Sequence, residues 1–131
     1  MRPPTASRCA GGRRLIGNFY NRLFWYLATY LNLRCILLYV VHAYDGTDSG
    51  ALDRRMAIRP SHFEGARRLK AEGHFILGGA LLDPDGQMIG SMMLLDFADE
   101  AQLQAWLAWE PYVQHKVWER IDIKPFRQAD V

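Results

Sequence analysis

Residues 36–44, ILLYVVHAY, are mostly apolar on both parities. Ile36, Leu38, Val40 and His42 alternate with Leu37, Tyr39, Val41 and Ala43. A segment this short, β-branched and aromatic, closed by Asp45-Gly46, reads as a strand. Its two apolar faces make it a central one. A fold built on such a strand must cover both faces, and this limits the architectures open to the chain.

The text that follows alternates helix and strand. Asp48 or Ser49 is placed to cap a helix starting near residue 50, with Leu52 and Met56 as its first apolar turn. Proline lacks a backbone donor, so Arg59-Pro60 should kink that helix or restart it with Pro60 in the first turn. Beyond it, Phe63, Ala66 and Leu69 are expected inward, Arg67, Arg68 and Lys70 outward, and Gly73 is expected as the C-terminal cap. Residues 74–82 and 88–97 read as two strands. They are joined by Asp83-Pro84-Asp85-Gly86, where proline presets φ and glycine supplies a positive φ. Asp99 and Gln102 form a capping-box variant opening a second helix, with the stripe Leu103, Trp106/Leu107 and Glu110, ended by Pro111. Residues 116–126 are a last strand of mixed faces, as at an edge or an interface.

The order β-α-β-β-α-β, two crossovers sharing a central hairpin, predicts an α+β chain of the ferredoxin-like kind. It has a four-stranded antiparallel sheet with two helices on one face. That leaves an apolar second face open to water. A second copy of the chain would cover it, so the expected assembly is a homodimer, a dimeric α+β barrel.

Composition divides the chain at about residue 35. Residues 1–35 carry six arginines, no acid and both cysteines, Cys9 and Cys35, whereas the remainder carries ten Lys and Arg against fourteen Asp and Glu, a balance of −4. Such a body is a poor nucleic-acid binder, so no nucleic acid is expected as a partner. Without cysteines it suits a reducing cytoplasm, the expected location. Residues 1–14 should be disordered. Residues 15–33 can be read as a membrane span, but Asn18, Asn21 and Arg22 interrupt it; as a signal peptide, but no A-x-A site follows. The discontinuity favours a third reading, a basic extension (1–35) outside a domain at 36–127, with a short tail at 128–131. Any membrane contact is confined to that extension, as a surface helix.

Candidate chemistry gathers in the body. His62 lies at the margin of the first helix's buried stripe. Taken alone, it reads as a partly buried histidine satisfied by a backbone carbonyl. Glu110 continues the apolar stripe of the second helix and lies at its C-terminus, where burial and the macrodipole both disfavour a negative charge. It either reaches solvent or finds a partner, and an imidazole is a fitting one. A His–carboxylate pair in a water-poor pocket is a general acid/base pair. Ser91, after Gly90, can donate a hydrogen bond into the same cavity, and no nucleophile turn surrounds it. Gly78-Gly79 in mid-strand suggests a bulge or a close approach that makes room for a ligand. No phosphate loop, cofactor motif or spaced metal cluster is present in the sequence. The expectation is therefore no cofactor and no metal.

Residues 36 to about 127 resemble the YciI-like (YCII-related) proteins. The matching text is Leu38-Tyr39-Val40-Val41, Arg55-x-x-x-Arg59-Pro60-x-His62, Glu72-Gly73, Gly78-Gly79, Gly90-Ser91, Ala105-Trp106, Pro111-Tyr112-Val113 and Lys124-Pro125-Phe126. The resemblance implies a dimeric α+β barrel and a histidine–aspartate active-site pair. The histidine carries over to His62; the aspartate's position before Pro-Tyr is Glu110 here, one methylene longer. The motifs add Arg59 and Tyr112 to Ser91 as substrate-binding candidates. The loop before Gly90-Ser91 is shorter than is usual there. Related proteins carry out dehydrochlorination or lactone isomerisation of small rings. Two functions stand: a cofactor-independent lyase or isomerase using His62 and Glu110, or a non-catalytic domain binding a small ligand in the same cavity.

Overall fold

A computed structural model describes residues 38–131 of the chain. The readings placed on residues 1–37, including the basic extension, both cysteines and the start of the first strand, lie outside the described residues. The elements are β1 (Leu38–Asp45), α1 (Ala51–Ala71), β2 (Phe75–Leu82), β3 (Met88–Asp96), α2 (Glu100–Trp109), α3 (Pro111–Gln114) and β4 (Trp118–Phe126). The sheet order is β2-β3-β1-β4 and every neighbouring pair is antiparallel. This is the expected ferredoxin-like topology, with β1 inside the sheet and β4 at its edge. Among the described residues no helix is long and apolar enough to cross a membrane.

Strand alternation builds the core. Tyr39, Val41 and Ala43 of β1 and Met93 and Leu95 of β3 are buried, and Leu69, Phe97, Leu103, Trp106, Tyr112, Val117 and Trp118 pack with them. On the other face the rows run Leu77, Leu94, Val40, Lys124 and then Gly79, Met92, His42, Asp122. That face is mainly apolar over β1, β2 and β3, apart from His42 and Asp96, and charged along β4.

Local signals set the element ends. Gly73, at φ +82°, closes α1 in a Schellman motif: its N–H donates to the Lys70 carbonyl at 3.1 Å and that of His74 to the Leu69 carbonyl at 2.8 Å. The Asp83–Gly86 turn closes with a 3.0 Å bond from Gly86 N–H, and Asp83 Oδ1 accepts from Asp85 and Gln87. Asp99 caps α2 by accepting from Gln102 N–H, while the Gln102 side chain accepts from Ala98 N–H. Gly90 admits β3 close to β1; a Cβ there would lie 2.3 Å from the Ala43 carbonyl oxygen.

Four expectations need correction. Of the two readings of Pro60, kink or restart, the restart is excluded, because α1 runs through it. Pro60 and Met56, whose carbonyl loses its donor, both lie on the solvent side, where water takes the free bond. The N-cap is Gly50, and Asp48 supports it from outside by accepting the Gly50 N–H at 3.1 Å. The buried face of α1 is Arg55, His62 and Leu69, not the face of Phe63, which is 39% exposed. Finally, Pro111 ends α2 by starting α3 as its first residue, so the described residues hold three helices rather than two, and the last strand begins at Trp118.

Candidate active site

Arg55, Arg59 and His62 stand at i, i+4 and i+7 on α1, which puts them on one helix face. With Ser91 and Met93 of β3 and Phe75, Gly78, Gly79 and Ala80 of β2 they line a cavity of about 190 Å3 between α1 and the sheet. The glycine pair thus lies at a ligand-sized space, whereas the register shifts of the β2–β3 pair fall on either side of it, at Phe75/Leu77 and Leu81/Leu82.

His62 and Glu110, 48 positions apart, meet inside the fold. The Nδ1–Oε1 distance is 2.6 Å, and the side chains are 9% and 1% exposed. A carboxylate accepts here, so Nδ1 carries the proton, and in the neutral imidazole Nε2 has the lone pair. The ring stacks on Tyr112, with centroids 4.1 Å apart and planes 13° from parallel, and takes the edge of Trp118 at 5.7 Å. Two aromatic rings and a charged hydrogen bond therefore hold the imidazole, and the described residues offer Nε2 no hydrogen-bond partner.

The setting of Glu110 differs from the open helix end that its place in the α2 stripe suggested. Its own N–H donates to the Trp106 carbonyl, and its side chain caps α3, Oε1 accepting from Tyr112 N–H at 3.1 Å. One carboxylate oxygen thus has two donors, and the charge is satisfied where it is buried. The longer glutamate spans the gap to His62 without leaving the cap.

Around this pair lies a second, buried group. Arg55 Nη1 donates to both Asp45 oxygens at 2.9 and 3.0 Å, and Nη2 donates to Ser91 Oγ at 2.9 Å. Trp118 Nε1 donates to the same Oγ at 3.2 Å. Burial raises the Asp45 carboxyl above its usual value, with Arg55 pulling it back down. Arg55 also lies 4.9 Å over the Tyr112 ring. Burial raises the Tyr112 phenol as well, against the pull of Arg55 and Arg59, and among the described residues its hydroxyl has no hydrogen-bond partner.

The structure therefore brings His62, Glu110, Ser91 and Arg59 to one site. It places Tyr112 beneath the imidazole, fully buried, rather than in the cavity wall. Arg59 lies over Phe63 at 4.3 Å at the cavity's edge. Sequence reasoning missed Asp45, Arg55 and Trp118 as site residues. The available signal was spacing, since Arg55 lies two turns before His62 on the same face. A larger cleft of about 410 Å3 runs between residues 44–52 and the 87–89 segment, but its carboxylates, Asp45 and Asp48, are both held by arginines. It offers no free base. Among the described residues no cluster of three or more His, Cys, Asp or Glu could hold a metal ion.

Comparison with known proteins agrees with this architecture. The family model of the YCII-related domain matches residues 37–127. Protein YciI of Escherichia coli O6:H1 is 32% identical over 99 residues, covering 71% of this chain and 99% of that protein. An uncharacterised protein of Haemophilus influenzae is 28% identical over the same shares. Among solved structures, the 5-chloro-2-hydroxyhydroquinone dehydrochlorinase of Burkholderia phenoliruptrix AC1100, in complex with 2,5-dihydroxybenzoquinone, superposes with a TM-score of 0.61. It is 18% identical and covers 70% of this chain and 95% of its own. At that identity the likeness concerns the fold.

Proposed function

The chain belongs to the YCII-related domain family, and on that footing we propose that it is a small-molecule lyase or isomerase, with His62 as general base and Glu110 as its orienting carboxylate. The observation that carries the reading is the 2.6 Å bond from Nδ1 to Glu110, which leaves Nε2 as the basic atom of a residue lining the cavity. In this reaction Nε2 takes a proton from a carbon next to a carbonyl or halogenated carbon. The imidazolium so formed is stabilised by Glu110. Either a neighbouring group leaves with the electron pair, or the proton returns at another carbon. Such a step contributes roughly 10²–10⁴-fold and requires no cofactor.

Cavity size supports a small substrate. A cavity of roughly 150 Å3 accepts benzene, so one of about 190 Å3 suits a single substituted ring. The dehydrochlorinase that shares the fold was captured with a single-ring quinone, which favours the same class here. Arg59 and Ser91 are the groups placed to bind the ring's substituents, and Tyr112 serves as the platform for His62. The apolar outer face of the sheet supports the same proposal at the level of assembly: a homodimer packed sheet to sheet.

The test is turnover of a panel of single-ring lactones and chlorinated hydroquinones, followed by chloride release and deuterium uptake from solvent. The wild type should turn over at least one member, His62→Asn should lose roughly 10²-fold or more, and Glu110→Gln should lose activity with an altered His62 tautomer in 15N spectra. Binding of panel members with no turnover, unchanged by His62→Asn, would leave the cavity as a ligand-binding site only.

A further inference from the structure

Ser91 is 2% exposed, and its Oγ accepts two hydrogen bonds, from Arg55 and from Trp118. A hydroxyl has two lone pairs and one proton. Both lone pairs are therefore occupied, and the oxygen's remaining capacity is to donate. None of the described residues accepts that proton, and Ser91 lines the same cavity as His62. The bond from the Arg55 guanidinium draws electron density out of Oγ and strengthens the hydroxyl as a donor. Asp45, bound through the other arginine nitrogen, holds the guanidinium in place.

We propose that Ser91, polarised by Arg55, donates its hydrogen bond to a substrate carbonyl oxygen and carries the negative charge that proton removal creates there. The assignment rests on His62 being the base, and it narrows the substrate to a carbonyl compound, a cyclic ketone or lactone with an acidic C–H beside the carbonyl. Nε2 takes that proton. The C–H electron pair becomes a carbon–carbon double bond and the carbonyl π pair moves onto oxygen, where Ser91 meets it. The oxygen returns to a carbonyl when a β-substituent leaves with its bonding pair or when His62 returns the proton at a different carbon. Ser91 touches the reacting oxygen and is catalytic; Arg55 acts through it and is a positioning residue. A donor preorganised at a developing oxyanion is commonly worth roughly 10²–10³-fold in rate.

The test uses two probes of one shape, 4-nitrophenol, whose ionisation is visible as colour, and nitrobenzene, which has no ionising oxygen. The full chain should bind 4-nitrophenol as the coloured phenolate at a pH where free 4-nitrophenol is still protonated. Ser91→Ala should lose roughly tenfold or more of the phenolate affinity, with nitrobenzene affinity held within about twofold because the cavity keeps its shape. Arg55→Lys, which retains both charge and serine, should give an ionisation midpoint of the bound phenol between those two proteins. That shift is one that a purely structural role for Arg55 would not produce. Arg55→Lys also serves as the informative variant if Ser91→Ala fails to fold. Equal phenolate binding by wild type and Ser91→Ala, or an unshifted midpoint in Arg55→Lys, overturns the donor while leaving the His62 reading to its own turnover test. Failure of both probes to bind the wild type overturns the single-ring class, and with it both readings.

Discussion

Arg54 and Arg55 leave α1 at adjacent positions, and each reaches an aspartate at or just beyond the end of β1. Arg54 meets Asp48 with two parallel bonds of 2.6 and 2.8 Å. Arg55 meets Asp45 through a single nitrogen, at 2.9 and 3.0 Å. By geometry alone the first pair is the better one. Yet its side chains are 41% and 58% exposed, whereas those of the second are 4% and 3% exposed. The aspartates respond in opposite directions. Asp48 is pulled down to about 2 by Arg54, and Asp45 is pushed up by burial despite Arg55. Water sets the value of each pair more than bond length does. The single-nitrogen contact also has a use: it leaves Nη2 of Arg55 free for Ser91.

Removing one partner from the buried pair should give the largest effect. Arg55→Met strands Asp45 and takes a donor from Ser91, and its expected cost in urea unfolding is roughly 3–5 kcal/mol. That is a large share of the roughly 5–15 kcal/mol that holds a domain together. Asp45→Leu combined with Arg55→Met should recover most of the loss, since two well-packed apolar side chains no longer carry a buried charge. A single-variant cost under about 1 kcal/mol, the range of exposed pairs, would mean that the two pairs are energetically alike and the comparison fails.

The same contrast explains what was legible in the sequence. The strands were readable because their signal is local: alternation, an Asp-Pro-Asp-Gly turn, and a first strand apolar on both parities. The pairing of His62 with Glu110 was readable because a carboxylate continuing the stripe Leu103, Trp106 requires a partner. The face of α1 was not. Amphipathic reasoning turned Phe63 inward, but the helix buries Arg55 and His62 and leaves Phe63 and Met56 exposed. A helix that lines a polar site violates the hydrophobic pattern at the residues that do the chemistry. Asp45 was hidden for a related reason. As the partner of a turn glycine it reads as punctuation, and only the fold puts Arg55 beside it. Pro60 left kink and restart both open because its cost depends on which side of the helix the freed carbonyl faces, which sequence alone does not state.

The exposed pair supplies the smallest effects. Arg54→Ala should leave Tm within about 2 °C of wild type, and less in high salt. Its pH dependence has a definite sign. The folded value of Asp48, about 2, lies below the ordinary 3.8. The carboxylate's contribution is therefore present above about pH 4 and fades as the pH falls through about 2. For Asp45, raised on folding, the contribution runs the other way: it is full below the ordinary 3.8 and is lost as the pH rises through the higher folded value. Urea midpoints of wild type and Asp48→Asn should differ slightly near neutrality and converge as the pH falls below about 2, where both side chains become neutral. Asp48 also accepts the Gly50 N–H at the start of α1, and an asparagine retains that acceptor. Because both proteins keep the cap, a difference that persisted unchanged into acid would not come from the Asp48 charge, and exposed charge would then contribute even less beside the buried pair.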